Sequence, residues 1–208
     1  MRSIRFKTIE FSILYILVPA SFVINYPNDI KLVIGCLGFL YITYVLLKVE
    51  KEKFKITERL NWVLFWKQTA VKFCVVALFT LVYVYVTNPE YLFAIMLNKP
   101  KMWLLLLCIY IVFSVYPQEL IYRTFFFKRY SDLFENENQL IFFNALVFSL
   151  GHLFFRNFLV LTLTFLGGII FAHTFIKTKS TVLVSIEHAL YGCWLFTVGM
   201  GTMLGFPE

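Results

Sequence analysis

The sequence predicts an all-α fold, a polytopic transmembrane bundle of about seven helices, and three observations carry that reading. Of 208 residues, 60% are hydrophobic and only 15% charged, far from the balance of an average soluble domain. Apolar runs approaching the ~20 residues that span a bilayer recur along the whole chain. Basic residues gather in alternate loops. With the N-terminus inside, Arg2, Arg5, Lys7, Lys48, Lys51, Lys53, Lys55, Arg59, Lys67, Lys128, Arg129, Lys177 and Lys179 fall on the inner side, against Lys31, Lys99, Lys101 and Arg156 outside. This asymmetry is the one that orients membrane proteins.

Seven segments follow in order. The first, Phe11 to Tyr26, comes after the basic start MRSIRFK and imitates a secretory signal, but it lacks a small-x-small cleavage site and six more runs follow it. A retained helix is expected. The second, Leu32 to Leu47, leads into Lys48 to Asn61, where Lys and Glu alternate as in a solvated loop or interfacial helix. The third is Thr69 to Val86. Asn88-Pro89 and the stretch Asn98 to Pro100 are turn signals ahead of the fourth, Met102 to Phe127. Asn136 to Asn138 separates it from the fifth, Leu140 to Phe155. The sixth, Phe158 to Ile176, contains Gly167-Gly168, which suits close helix approach. The seventh is Val182 to Leu204, with Gly201 and Gly205 at GxxxG spacing. Cys36, Cys74, Cys108 and Cys193 stand singly in apolar segments and read as small buried hydrophobes without disulfides.

The net charge of +7 forms no clustered stripe, which argues against nucleic acid as a partner. The lipid bilayer is the expected surrounding, with a cytoplasmic N-terminus and a bacterial inner membrane as the setting. Polar groups inside the apolar runs begin only at residue 118. Residues 1–101 therefore read as flanking helices and 102–208 as a core that carries the chemistry.

Those polar groups are Glu119 with Arg123, His152, and Glu187 with His188. Ionisable groups at membrane depth are costly and normally face a protein interior or wet cavity. Glu119 and Arg123 lie at i and i+4, so the carboxylate reaches the guanidinium along one helical face. Asn144, Phe148 and His152 form a stripe on the fifth segment. At ~1.5 Å of rise per residue, Glu119, His152 and His188 lie roughly 12, 18 and 11 Å from the inner ends of their segments. Those depths nearly coincide. Adjacent helical residues point about 100° apart, so Glu187 and His188 need not share a cavity. His173, close to Lys177, reads as an interfacial residue.

At these positions the chain resembles the CPBP family of intramembrane metalloproteases, which includes type II CAAX prenyl endopeptidases and bacteriocin-processing or immunity (Abi-like) proteins. The family pattern is EExxxR, FxxxH and HxxxN on successive core helices. The matching segments here are Gln118-Glu119-Leu-Ile-Tyr-Arg123, Phe148-Ser-Leu-Gly-His152 and His188-Ala-Leu-Tyr-Gly192. The resemblance implies an endopeptidase that cleaves a peptide or membrane-protein substrate with a glutamate-activated water, Glu119 or Glu187 acting as base and Arg123 orienting Glu119. His152 and His188 are then metal ligands, possible holders of Zn²⁺ or another divalent ion, or partners of the oxyanion. Two positions depart from the pattern. Gln118 replaces a glutamate, and an amide cannot take a proton from water; Gly192 replaces a side chain that would position water or oxyanion. Those departures favour a second class, a catalytically silent scaffold or immunity-type binding protein. A third, a proton-coupled transporter, fits buried Glu, His and Arg, but the chain shows no internal inverted repeat.

Overall fold

A computed structural model describes residues 3–52, 60–201 and 203. They form a polytopic helical bundle of α1 (residues 4–21), α2 (Asn28–Val49), α3 (Trp62–Thr87), α4 (Pro100–Leu133), α5 (Glu137–Phe155), α6 (Phe158–Thr178) and α7 (Thr181–Val198). Helices α2 to α7 are long and apolar enough to cross a membrane. A short helical turn, Ala94–Asn98, lies between α3 and α4. Residues 53–59, half of the stretch from Lys48 to Asn61, and Gly205 of the GxxxG pair lie outside the described residues.

Local sequence sets the helix ends. Side chains of Ser3, Asn61, Asn136, Asn157 and Ser180 accept hydrogen bonds from the first free N–H groups of α1, α3, α5, α6 and α7, as good N-caps do. Gly199, at φ 112°, ends α7 in the left-handed region, six residues short of the Leu204 read from hydropathy alone. Helix α1 starts at Ile4 rather than Phe11, because Ser3 caps it and its carboxylate Glu10 is neutralised inside the bundle.

Two prolines shape the helices that carry them. Pro19 and Pro117 follow widened π-helical turns at Ile13–Leu17 and Tyr110–Val115, the usual adjustment to a missing N–H within a helix. Another π segment, Leu120–Phe125, lies in α4 beside Glu119. Its carbonyls turn outward and find partners: Tyr15 Oη donates to Ile121 O at 2.7 Å and Asn144 Nδ2 to Tyr122 O at 2.5 Å. Lipid offers no such partner, so a widened turn at this depth has to be satisfied from neighbouring helices.

Helix α4 runs through the core, its buried Leu120, Phe125, Phe126 and Tyr130 packing with Tyr15 of α1, Leu46 of α2, Phe148 of α5 and Phe171 of α6. Around it, apolar side chains such as Val63, Phe113 and Phe158 are exposed on the lipid-facing surface. Cys36, Cys74 and Cys108 are exposed there too, with Cys193 half-buried, and all four are free thiols. The expectation of buried cysteines is corrected: a small apolar side chain suits a lipid-facing position as well as a core one.

Gly168 lets α6 meet α5. A Cβ at that position would stand 2.8 Å from Ala145 Cα, whereas one at Gly167 would meet only the Phe171 ring at 3.4 Å. Gly168→Val is therefore expected to destabilise the protein by about 1–3 kcal/mol, the usual cost of overpacking, with Gly167→Ala near neutral. Thermal unfolding in detergent measures both.

Charged groups tie one end of the bundle together. Arg129, counted from sequence as a loop residue, lies within α4 and is buried. Its Nε donates to Glu10 Oε2 at 2.8 Å and its Nη1 to Glu50 Oε1 at 2.6 Å, joining α4 to α1 and α2. Tyr41 and Tyr130 also donate to Glu10. Lys7 pairs with Asp132 at the same end. At the opposite end Arg156 donates to Val23 O and Asn25 Oδ1.

Candidate active site

Helices α4, α5, α6 and α7 bring three predicted residues into one chain of contacts. Arg123 Nε lies 3.3 Å from Glu119 Oε2, and Glu119 Oε1 lies 2.7 Å from His188 Nδ1. Glu119 and Arg123 are wholly buried. A carboxylate oxygen can only accept, so His188 Nδ1 carries the proton and Nε2 is the nitrogen left available.

Asn144 and Phe148 hold that chain in place. Asn144 Oδ1 accepts from Arg123 Nη1 at 2.5 Å, while its amide nitrogen anchors the Tyr122 carbonyl. Arg123 lies over the Phe148 ring at 4.7 Å, a cation–π contact that partly compensates a desolvated guanidinium. The His188 ring stacks on Phe171 at 4.5 Å and meets the edge of Phe148 at 5.7 Å. Its orientation is thus set on two faces as well as at Nδ1.

His152 reaches the site differently. α-Helical geometry in α5 stops at Leu150, and the last carbonyls of a helix lack internal partners. His152 Nδ1 satisfies one of them, Phe148 O, at 2.8 Å. A carbonyl accepts, so again Nδ1 holds the proton and Nε2 is free.

Both imidazoles line a cavity of about 970 Å³, together with Gln118, Ser114, Tyr110 and Tyr122. Glu119 is one layer behind, reaching the cavity through His188. Gln118 donates to Ser114 Oγ at 2.7 Å, and its buried Oε1 has no hydrogen-bond partner among the described residues. Glu119 Oε2, Arg123 Nε and Arg123 Nη2 also make no well-aligned hydrogen bond; Glu119 and Arg123 attract as charges at 3.3 Å without a directed N–H···O contact.

Glu187 faces another neighbour. It is fully buried, ion-paired with Lys72 of α3, and accepts from Tyr191 Oη at 2.7 Å. Lys72 was missed in the sequence because it interrupts a long apolar run only once. This pair joins α7 to α3, while the adjacent His188 turns to Glu119. Glu187→Gln is expected to keep its hydrogen bond from Tyr191, and cleavage, while lowering the melting temperature; Glu187→Gln with cleavage abolished in a folded protein would return Glu187 to the site.

Gly192, one turn after His188, has no side chain, and a Cβ there would overlap the hydroxyl and ring of Tyr110. Gly151, beside His152, is covered in the same way by Tyr122. His173 takes no part in the cavity lining.

A structural Zn²⁺ takes four protein ligands and a catalytic one at least three. Among the described residues no three His, Cys, Asp or Glu side chains converge on one point. His152 and His188 offer two imidazole nitrogens, and the nearest carboxylate is engaged by His188 and Arg123. As arranged, the donor set does not fit a resident metal ion.

No curated protein and no solved structure matches the chain significantly. A family model does: type II CAAX prenyl endopeptidase Rce1-like, over residues 100–205. That match runs from the start of α4 to beyond the end of α7 and contains each residue of the Arg123–Glu119–His188 chain. The chain belongs to the Rce1-like branch of the CPBP family of membrane-embedded, CAAX-type proteases.

Proposed function

We propose that this protein is an endopeptidase that hydrolyses a peptide bond in a membrane-associated protein or peptide, with His188 as the base and the Glu119 carboxylate acting on the water through it. One observation carries the reading: His188 lines the cavity while its far nitrogen is held by a buried carboxylate, itself paired with Arg123. Such an arrangement fixes the tautomer and favours the imidazolium that forms on proton transfer. The expectation from sequence had Glu119 or Glu187 take the proton directly.

His188 Nε2 takes a proton from water while the water oxygen bonds to the scissile carbonyl carbon, whose π electrons move to the carbonyl oxygen. Collapse of that intermediate breaks the C–N bond, and the proton on Nε2 passes to the leaving nitrogen. His152 Nε2 accepts a hydrogen bond from the other hydrogen of the water and so orients the attacking oxygen. With an imidazole as the base, position 118 takes no proton, so an amide there is compatible with hydrolysis.

The cavity also bears on the substrate. Its wall is overwhelmingly apolar and includes Val75, Phe79 and Leu166, all more than half exposed toward lipid. An apolar or lipid-modified segment fits it, with the scissile bond at the polar end. Cytoplasmic orientation of the N-terminus, read from the loop charges, belongs to the same proposal.

A non-catalytic scaffold is the second reading, favoured by Gln118 in place of a glutamate. Profiling of synthetic membrane peptides with purified protein in proteoliposomes, with and without a chelator, separates the two. Cleavage that survives the chelator and is lost in His188→Ala is expected. Peptide binding without cleavage supports the scaffold.

A further inference from the structure

We infer that the Tyr110 hydroxyl is the donor that stabilises the oxyanion in this site, replacing from α4 the polar side chain that α7 lacks at Gly192. The inference rests on the hydrolytic reading above and goes beyond it in naming a residue outside all three sequence motifs.

Three independent facts converge on Tyr110. First, the space where a side chain at position 192 would begin is filled by the Tyr110 hydroxyl and ring. A residue at 192 stands one turn beyond His188 on the same face of α7, so the hydroxyl occupies the place next to the base. Second, Tyr110 lines the cavity, and no hydrogen bond joins its hydroxyl to another protein group among the described residues. Largely enclosed phenols normally find a partner; a cavity ligand is the candidate here. Third, the ring is held rigidly, edge-on to Phe196 at 4.8 Å and to His188 at 6.2 Å.

Position and chemistry agree with the task. Oxyanion stabilisation requires a preorganised donor aimed where negative charge develops, in a site that excludes water. Tyr110, Ser114 and Gln118 lie at i, i+4 and i+8 along α4 and all line the cavity, so one helix presents a polar stripe opposite the imidazoles. Ser114 already accepts from Gln118. Tyr110 is the hydroxyl on that stripe that makes no hydrogen bond to the protein and is packed against Gly192 beside the base. When the carbonyl oxygen gains charge, the Tyr110 O–H donates to it and keeps its proton; collapse of the intermediate releases the hydrogen bond.

Tyr110→Phe keeps the ring and removes only the donor. The expected result is a kcat lower by about 10²–10³-fold, the usual loss for one oxyanion donor, with KM within a few-fold and the melting temperature in detergent unchanged. A second test moves the polar group between helices: Tyr110→Ala with Gly192→Asn is expected to recover about tenfold or more in kcat over Tyr110→Ala alone. Unchanged kcat in Tyr110→Phe, or a swap no faster than Tyr110→Ala, overturns the assignment. His188→Ala, run alongside, distinguishes the levels of failure. If His188→Ala is inactive while Tyr110→Phe is fully active, only the Tyr110 assignment falls. If the wild-type protein and His188→Ala behave alike, the hydrolytic reading falls and this inference with it.

Discussion

His188→Ala is expected to lower kcat by about 10²–10⁴-fold, the range supplied by a positioned acid or base. Glu119→Gln should fall by a comparable factor, although the amide is nearly the same size. The charged oxygen 2.7 Å from His188 Nδ1 both selects the tautomer and offsets the imidazolium charge, and an amide provides neither reliably. Because Glu119 is fully buried behind His188, its loss should appear in kcat and leave KM little changed. Single-turnover kinetics in proteoliposomes measure this split. A Glu119→Gln protein that cleaves at the wild-type rate would leave the buried carboxylate with a packing role only.

Arg129→Met is the substitution expected to cost most in stability. Arg129 is 2% exposed and Glu10 5%, and this one guanidinium serves carboxylates from two other helices. Removing one member of a buried ion pair leaves an uncompensated charge and typically costs about 3–5 kcal/mol. Replacing Glu10 by Gln in the same protein should restore part of that loss, because the stranded charge is then gone. Denaturant unfolding in micelles reads both. If Arg129→Met melts like the wild type, the network contributes little and α1 is held by apolar packing.

Much of this was legible in the sequence, for identifiable reasons. Length and apolar periodicity gave the helices, since backbone groups in lipid have few alternatives to helix. Glu119, Arg123 and His188 could be read as a group because charge at membrane depth is rare and needs a partner. Other features had no such signal. Arg129 sits at the end of an apolar run, where the charge rule for loops and a buried ion pair look alike. Glu187 and His188 are neighbours in sequence, and only the rotation of α7 sends one to Lys72 and the other to Glu119. The lipid-facing cysteines could not be told from buried ones by hydropathy. Tyr110 was invisible because its place is created by an absent side chain on another helix.

Cleavage in heavy-oxygen water tests the central claim most directly. Purified protein in proteoliposomes, given a membrane peptide that it cuts, should place one solvent oxygen in the new C-terminal carboxylate. Labelled product should form about 10²-fold more slowly, or slower still, in both Glu119→Gln and His188→Ala while each variant keeps its melting transition. Wild-type protein that releases no product from any such peptide, or variants that release it as fast, would contradict the account.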